Sequence, residues 1–218
     1  MRVLPLRPWA PLLAAVATTT APCPAVAQTA LDQVPSALVA YGHYAGLLIG
    51  TAALVTERLL IQPNMSKQTF DLVTKADIAW GVAGALITLS GYLRVTQYAK
   101  GWEFYAHEPI FWLKMTLFAV LGATSFFPTV TIVKRAIDIK DVESPGVIMS
   151  DKLVKRMTQV VNAELLALFS IPLTASLMAR GVGYVDWFPW QAGAGVASVA
   201  LFGLGYKYMK EALDWVEE

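Results

Sequence analysis

Between Ser36 and Thr56 the chain reads SALVAYGHYAGLLIGTAALVT, a run of 21 residues without Asp, Glu, Lys or Arg. A helix needs about 20 such residues to cross the hydrocarbon core of a bilayer. Four more apolar stretches follow, at about Ala76–Leu93, Pro109–Ile132, Val160–Met178 and Gln191–Met209. The sequence therefore predicts an all-α, polytopic membrane bundle of about five transmembrane helices.

The composition agrees with a membrane protein and argues against a nucleic-acid-binding one. Hydrophobic residues make up 56% of the 218 residues and charged residues only 15%, whereas soluble domains carry about 25% charged residues. No basic stripe or nucleic-acid-binding motif occurs, so the expected partner is the lipid bilayer. The single cysteine, Cys23, lies in the segment that we expect to be removed, so disulfides and thiolate-bound metals are not expected in the mature chain.

Residues 1–27 have the pattern of a cleavable signal peptide. Arg2 and Arg7 precede a short apolar run, and Ala25-Val26-Ala27 is a small-x-small cleavage site. The apolar run is too short to span a bilayer. We therefore predict an integral membrane domain at residues 28–218; the alternatives are an uncleaved anchor and an organelle transit segment.

The basic residues between the predicted spans indicate the orientation. With the mature N-terminus outside, eleven Lys and Arg residues fall in the inner segments and three, Arg94, Lys100 and Arg180, in the outer ones. Cytoplasmic loops of membrane proteins carry this excess of positive charge. The prediction is a bacterial cytoplasmic (inner) membrane protein with a periplasmic N-terminus and a cytoplasmic C-terminus.

His43 is the first of the polar residues that lie within predicted spans. Gly46 and Gly50 follow it on the same helical face. One interpretation is close packing of two helices, with His43 hydrogen-bonded between them. The other is a flat slot beside an imidazole ligand, which would suit a planar ring such as a porphyrin.

Lys114 and Glu164 lie within the third and fourth predicted spans. Lys114 is about five residues from the outer end of its helix, so it either snorkels to the interface or faces the bundle interior as a base or ligand. Glu164, near Asn162, either forms a structural hydrogen bond, with Arg58 as one candidate partner, or relays protons. Glu57 lies on the helical face of His43.

His107 and Glu108, at the outer mouth of the third span, are expected to be solvated and are weak alternative ligands.

Several segments resemble a family of predicted bacterial and plastid membrane proteins of unknown function, over about Tyr41 to Gly183. They are Tyr41-Gly42-His43-Tyr44-Ala45-Gly46, Glu57-Arg58-Leu59-Leu60, Gly91-Tyr92-Leu93-Arg94-Val95, Phe111-Trp112-Leu113-Lys114, Phe127-Pro128-Thr129, Ala163-Glu164-Leu165, Ile171-Pro172 and Met178-Ala179-Arg180-Gly181. This resemblance implies a membrane bundle and no particular activity.

The pattern is also distantly similar to the heme-dependent protoporphyrinogen oxidase and to the CopD-type copper-resistance proteins. The positions that match the oxidase are His43 with Gly46, Lys114 after Trp112, and Asn162-Ala163-Glu164. The oxidase lacks a cleaved signal, has a Leu-Pro-Arg turn where this chain has Thr56-Glu57-Arg58, and has its Asn and Glu adjacent. Because a shared scaffold does not imply shared chemistry, the oxidase reaction itself does not carry over.

The resemblance implies heme b in the outer half of the bundle. His43 would be the axial metal ligand, Gly46 and Gly50 would flank the ring, and Lys114 would be a second ligand or the catalytic residue of a heme-dependent oxidoreductase. Arg94, with Lys100, would neutralise the propionates.

The alternative function is a cofactor-free small transporter or an accessory subunit of a membrane complex. A homo-oligomer or a membrane redox partner fits either function. Copper handling is the third option, and the absence of Cys from the mature chain and of clustered Met disfavours it.

Overall fold

The computed structural model describes residues 33–139 and 146–216, which are almost entirely helical. The helices are α1 (Val34–Leu60), α2 (Lys67–Leu93), α3 (Trp102–Ala106), α4 (Pro109–Thr124), α5 (Phe126–Asp138), α6 (Asp151–Ala179), α7 (Trp190–Val199) and α8 (Gly205–Leu213). π-helical turns follow α2 (Arg94–Tyr98) and join α7 to α8 (Ala200–Leu204). Strands β1 (Asn64–Ser66) and β2 (Gly146–Ile148) pair antiparallel. The predicted signal peptide lies outside the described residues.

Four helical segments in this part of the chain are long and apolar enough to cross a membrane: Val34–Leu60, Lys67–Tyr98, Pro109–Asp138 and Asp151–Ala179. The prediction of an all-α polytopic bundle is therefore confirmed. The predicted fifth span coincides with the helical run formed by α7, its π turn and α8, which is not among the four. The number of five spans stays a prediction.

The spans alternate in direction, which gives the bundle two chemically different ends. We call the end where α1 finishes and α2 begins the basic end, and the end where α2 finishes and α4 begins the aromatic end. The basic end holds Lys134, Arg135 and Lys155, whereas Trp102, Phe111 and Trp190 surround the aromatic end. By the distribution of positive charge, the basic end is the predicted cytoplasmic one.

Two of the helices begin nine residues before the predicted apolar stretches. Ser66 precedes α2, and its Oγ accepts a hydrogen bond of 3.1 Å from the amide of Thr69. Ser150 precedes α6 and accepts one of 3.2 Å from Leu153 in the same way. These serine N-caps start each helix in its polar first turns, so apolar length alone underestimates both helices.

The interior is packed in two clusters, one towards each end. The cluster at the aromatic end is centred on Tyr105, Phe111, Trp112 and Met178. The larger cluster fills the basic half and includes Leu54, Phe70, Val73, Phe127, Ile132, Met157 and Leu168. Many large apolar side chains point outward instead, as in Leu48, Leu59, Val82, Leu166, Phe169, Leu173 and Phe202. Lipid tails are the natural surroundings of such a surface, since water would leave so large an apolar area unfavourably exposed.

Candidate functional site

Polar side chains meet inside the bundle at two depths. His43 and Glu57 both lie on the face of α1 that packs on the other helices, 14 residues apart. At 1.5 Å per residue they are separated by about 21 Å along the helix. We call the group around His43 the imidazole cluster (His43, Ser90, Arg94, Lys114) and the group around Glu57 the carboxyl cluster (Glu57, Asp77, Glu164).

A hydrogen bond between α1 and α2 fixes the ring of His43. Its Nδ1 lies 2.9 Å from Oγ of Ser90. The single hydroxyl proton of Ser90 is already donated to the carbonyl of Leu86, 2.5 Å away. Because a hydroxyl has one proton to give, Nδ1 must be the donor, and a neutral His43 carries its lone pair on Nε2. Nε2 has no hydrogen-bond partner among the described residues, so it can accept a proton or bind a metal.

Two cations face this imidazole. The positive charges of Arg94 and Lys114 both act on the His43 ring, and a shared site of His43 and Lys114 stays a prediction. The guanidinium of Arg94 lies 5.5 Å from the Tyr44 ring centroid, and Nζ of Lys114 lies 5.6 Å from that of Phe111. Neither cation forms a salt bridge with a carboxylate in the described part of the chain. The imidazole cluster is therefore a positively charged site with no anion of its own.

Gly46 and Gly50 pack directly against α2. A Cβ atom on Gly46 would stand 2.8 Å from Cγ1 of Ile87, and one on Gly50 would stand 2.8 Å from the ring of Trp80. Both distances are shorter than van der Waals contact. Between the described residues of α1 and α2, the two glycines therefore leave no slot for a planar ring and serve close helix packing.

The carboxyl cluster joins three helices in the basic half of the bundle. Glu57 on α1 and Glu164 on α6 are both fully buried, and Asp77 on α2 is 7% exposed. The three carboxyl groups act electrostatically on one another. Oδ1 of Asp77 accepts a 2.6 Å hydrogen bond from Thr129, whereas none of the four carboxyl oxygens of Glu57 and Glu164 has a hydrogen-bond partner.

The hydroxyl groups beside Glu164 also lie within hydrogen-bond distance of backbone carbonyls. Oγ1 of Thr124 donates to the carbonyl of Leu121, 3.0 Å away, and Oγ of Ser125 donates to the same carbonyl, 2.9 Å away. Ser125 also accepts a 2.9 Å hydrogen bond from Nε1 of Trp80. Glu164 is thus a buried carboxyl whose two neighbouring hydroxyl groups, on Thr124 and Ser125, have competing backbone acceptors.

One candidate pairing does not form among the described residues, and one sequence-based expectation was wrong. Arg58 does not pair with Glu164; its Nε donates to Oδ1 of Asn162, 2.6 Å away on an exposed face. Glu108 is not solvated but fully buried, and neither of its carboxyl oxygens has a hydrogen-bond partner. The chain folds back at this point, where the amide of Val185 donates to the carbonyl of His107.

Both clusters also contain residues that the sequence alone does not single out. Asp77 was overlooked because it stands at the very start of the predicted second span, where a carboxylate normally reaches water. The sequence does not mark Ser90 and Ser125 as candidate site residues, because hydroxyl groups are common in spanning helices and usually bond to their own helix. Only the packing of three helices shows what Asp77 faces.

A metal site made of protein side chains alone does not occur in the described residues, which contain no group of three or more His, Cys, Asp or Glu arranged to hold an ion. This arrangement is not required for a heme iron, which takes one or two axial side chains.

The family model that matches the chain is described as "Predicted membrane protein (DUF2214)" and covers residues 35–183. This chain belongs to that family. The DUF2214 region contains every residue of the imidazole and carboxyl clusters, and α7 and α8 lie beyond it. The resemblance to membrane proteins of unknown function is therefore confirmed. No curated protein and no solved structure matched the chain, so the comparisons do not extend to the oxidase or the CopD-type proteins.

Proposed function

We propose that this protein is a small proton-coupled membrane transporter. The observation that carries the proposal is the carboxyl cluster, in which Glu57, Asp77 and Glu164 come from three different helices. Ionisable groups within a bilayer are costly and usually mark an ion or proton pathway. A purely structural carboxyl would be hydrogen-bonded, but Glu57 has no hydrogen-bond partner among the described residues.

Proton exchange is the chemistry that suits this cluster. Three like charges in a medium of low dielectric repel strongly, so the cluster gains or loses protons as its neighbours and its access to water change. Binding a proton lets Glu164 donate to an oxygen of Thr124 or Ser125, and releasing it makes the group an unpaired anion. The two states favour different packing of α6 against its neighbours, which is what coupling requires.

The imidazole cluster supplies a complementary site for a small anion. Arg94 and Lys114 attract negative charge, and Nε2 of His43 can exchange a proton beside it. A dry layer separates the two clusters, formed where Gly46 and Gly50 meet Ile87 and Trp80. An anion site and a proton site on either side of an apolar layer are the components of a proton-coupled carrier.

Infrared difference spectroscopy between neutral and alkaline buffer tests the proton site directly, because ordinary exposed carboxyl groups stay ionised in both buffers and a protonated carboxyl has its own C=O band. We expect the band of the purified protein to lose intensity in Glu164→Gln and in Glu57→Gln. Glu103→Gln, at an exposed position on α3, is the control and should leave the band unchanged. Equal spectra for the unchanged protein and the three variants would show that the carboxyl cluster does not exchange protons.

Proteoliposomes with a pH-sensitive dye inside test the coupling. Proton entry driven by an outward anion gradient should be lost in Glu164→Gln and in Lys114→Gln. Entry that needs no added anion, or that survives both substitutions, would argue against a proton-coupled carrier.

A second candidate function is heme b binding, and the hydrogen bond between His43 and Ser90 favours it. Metal-ligating histidines usually donate their other ring N–H to an oxygen, which orients the ring. His43 would hold the iron through Nε2, and Arg94 and Lys114 would neutralise the propionates. Bound heme would supply one-electron transfer. The packing of Gly46 and Gly50 against α2 does not fit the predicted ring slot, which is why the transporter is preferred.

The optical spectrum of protein expressed in heme-replete cells decides between these functions. A Soret band that disappears in His43→Ala and survives in His107→Ala would establish heme binding. His107 is the matched control because it is the only other histidine, and its Nδ1 donates to the carbonyl of Glu103 instead. A colourless preparation, or a band indifferent to His43, would exclude the heme function.

A further inference from the structure

A cavity of about 310 Å³ lies at the basic end of the bundle, away from both polar clusters. The ends of α5 and α8 and the start of α6 enclose it. Its lining residues are Thr131, Lys134, Arg135, Asp138, Leu153, Ala212, Trp215 and Val216.

The polar lining of this cavity consists mainly of hydrogen-bond donors. Nζ of Lys134 donates to the carbonyls of Ala212 and Leu213, 3.1 and 3.0 Å away. An ammonium group has three N–H bonds, so one remains for a ligand. The indole Nε1 of Trp215 is buried and has no hydrogen-bond partner. A buried donor without an acceptor is costly, and a ligand with acceptor oxygens would satisfy it.

The charge of the cavity also favours an anion. Lys134 contributes a positive charge, and Arg135 and Asp138, the acidic residue among the described lining residues, carry opposite charges. The closest approach between Arg135 and Asp138 is 4.0 Å, and the Asp138 side chain is mostly exposed. The remaining wall, made by Leu153, Ala212 and Val216, is apolar.

The depth of the cavity places it at the level of lipid headgroups. Lys134 comes 25 residues after Pro109, where the third span begins. At 1.5 Å per residue this distance is about 37 Å, and the hydrocarbon core is only about 30 Å thick. Trp215 and Lys134 are also the residue types that anchor helices at this level.

We propose that this cavity binds a phosphate group, with the ammonium of Lys134 and the indole N–H of Trp215 as its donors. The depth and the apolar wall favour the phosphate of an anionic phospholipid, whose acyl chains would lie along the lipid-facing surface. Inorganic phosphate offers the same oxygens and is the other source.

Thermal unfolding of the full-length protein in detergent tests the site, with phosphatidylglycerol, phosphatidylcholine and inorganic phosphate as separate titrants. We expect phosphatidylglycerol to raise the unfolding temperature saturably and phosphatidylcholine to raise it much less. Lys134→Gln should weaken the dependence on phosphatidylglycerol about tenfold, as expected for the loss of one charge-assisted hydrogen bond.

Trp215→Phe is the second variant, because it removes the N–H and keeps a ring against Phe127, whose centroid lies 5.6 Å away. Trp215→Phe should weaken the binding of phosphatidylglycerol. This variant leaves the hydrogen bonds of Lys134 to α8 in place, so it tests the site even if Lys134→Gln loosens the end of that helix. Lys155→Gln, at an exposed lysine of the same end that does not line the cavity, should bind like the unchanged protein.

The arms of this experiment separate the two sources. Stabilisation by inorganic phosphate that the Lys134 and Trp215 substitutions abolish would support the site and assign it to soluble phosphate. Equal stabilisation by the two lipids, or equal titrations for Lys134→Gln and Lys155→Gln, would overturn the proposal.

Discussion

The ring of His43 and the hydroxyl of Ser90 meet across α1 and α2 at 2.9 Å, and the hydroxyl proton belongs to the carbonyl of Leu86. This relationship makes the serine an acceptor and determines which ring nitrogen of the histidine is protonated. Every function that we assign to the imidazole cluster uses the other nitrogen, Nε2, so the orientation of the ring depends on a single side chain of the neighbouring helix.

Replacement of Ser90 by Ala should destabilise the protein modestly and free the ring of His43. Hydrogen bonds between membrane helices contribute about 0.6 kcal/mol on average, and we expect a loss of that order in the free energy of unfolding. Nitrogen NMR of the two histidines should show His43 leaving its single tautomer. Ser170→Ala is the control, because Ser170 bonds to its own helix on an exposed face; an equal loss in both variants would contradict the assignment.

Replacement of Gly46 by Ala should destabilise the α1–α2 contact. The new methyl group would stand 2.8 Å from Ile87 and 3.3 Å from the backbone oxygen of Ala83, which cannot move aside easily. Overpacking costs about 1–3 kcal/mol, which exceeds the gain of up to about 1 kcal/mol from the better helix propensity of Ala. Denaturant titration in detergent measures the difference.

Gly84→Ala on α2 is the matched control for this substitution. A Cβ atom there meets nothing within 4 Å, so only the propensity term remains and the variant should be as stable as the unchanged protein or more so. If Gly46→Ala behaved like Gly84→Ala, the close packing of α1 on α2 would be disproved.

The sequence was sufficient to predict the spanning helices but not to predict which helices pack against one another. Uncharged stretches such as residues 36–56 predict a span because a bilayer tolerates little else. The same stretch cannot tell which helix covers Gly46 and Gly50, so a slot for a ring and a contact with α2 remained equally compatible with it. The rotation of α2 about its own axis determines which of its residues face Gly46 and Gly50. This rotation depends on contacts between residues that are far apart in the chain.

The contacts within the carboxyl cluster also could not be predicted from the sequence. Glu57, directly after the first apolar stretch, and Glu164, within the fourth, could be recognised individually, but nothing local indicates that they meet Asp77. Glu164 looked able to pair with Arg58, because both lie near the basic end. Arg58 instead donates to Asn162 on an exposed face of the bundle.

Replacement of Glu164 by Met should stabilise the protein while abolishing proton exchange. Met has a similar volume and needs no hydrogen bond, whereas a buried polar group without a partner costs about 1–3 kcal/mol. We expect a gain of about 1 kcal/mol or more in the free energy of unfolding at neutral pH, measured in detergent. A loss of stability would mean that the carboxyl group is satisfied in the folded protein.

Glu211→Gln is the opposite case and serves as the comparison. Both oxygens of Glu211 accept hydrogen bonds from Arg156, at 2.6 and 2.9 Å, and the pair ties α6 to α8. The pair is partly exposed to water, which limits its contribution to about 1 kcal/mol. The substitution should therefore lower stability by up to that amount, and high salt should reduce the difference between the two proteins.

Glu108 should make the stability of the aromatic end depend on pH. It lies outside the spans, and burial raises the pKa of its carboxyl above the usual value, against the opposing positive charge of Lys100. A raised pKa means that the folded state holds the proton more tightly than the unfolded state. Its contribution to stability is then complete below the unfolded pKa, about 4.3, and is lost as the pH rises through the folded pKa.

Thermal unfolding across this range in the unchanged protein and in Glu108→Gln measures that contribution. The difference in unfolding temperature between the two should shift in favour of Glu108→Gln as the pH rises, because the amide never acquires the buried charge. Glu103→Gln, one helix turn from the same loop and exposed, should run parallel to the unchanged protein. A difference between Glu108→Gln and the unchanged protein that does not vary with pH would show that the Glu108 carboxyl reaches water in the folded state.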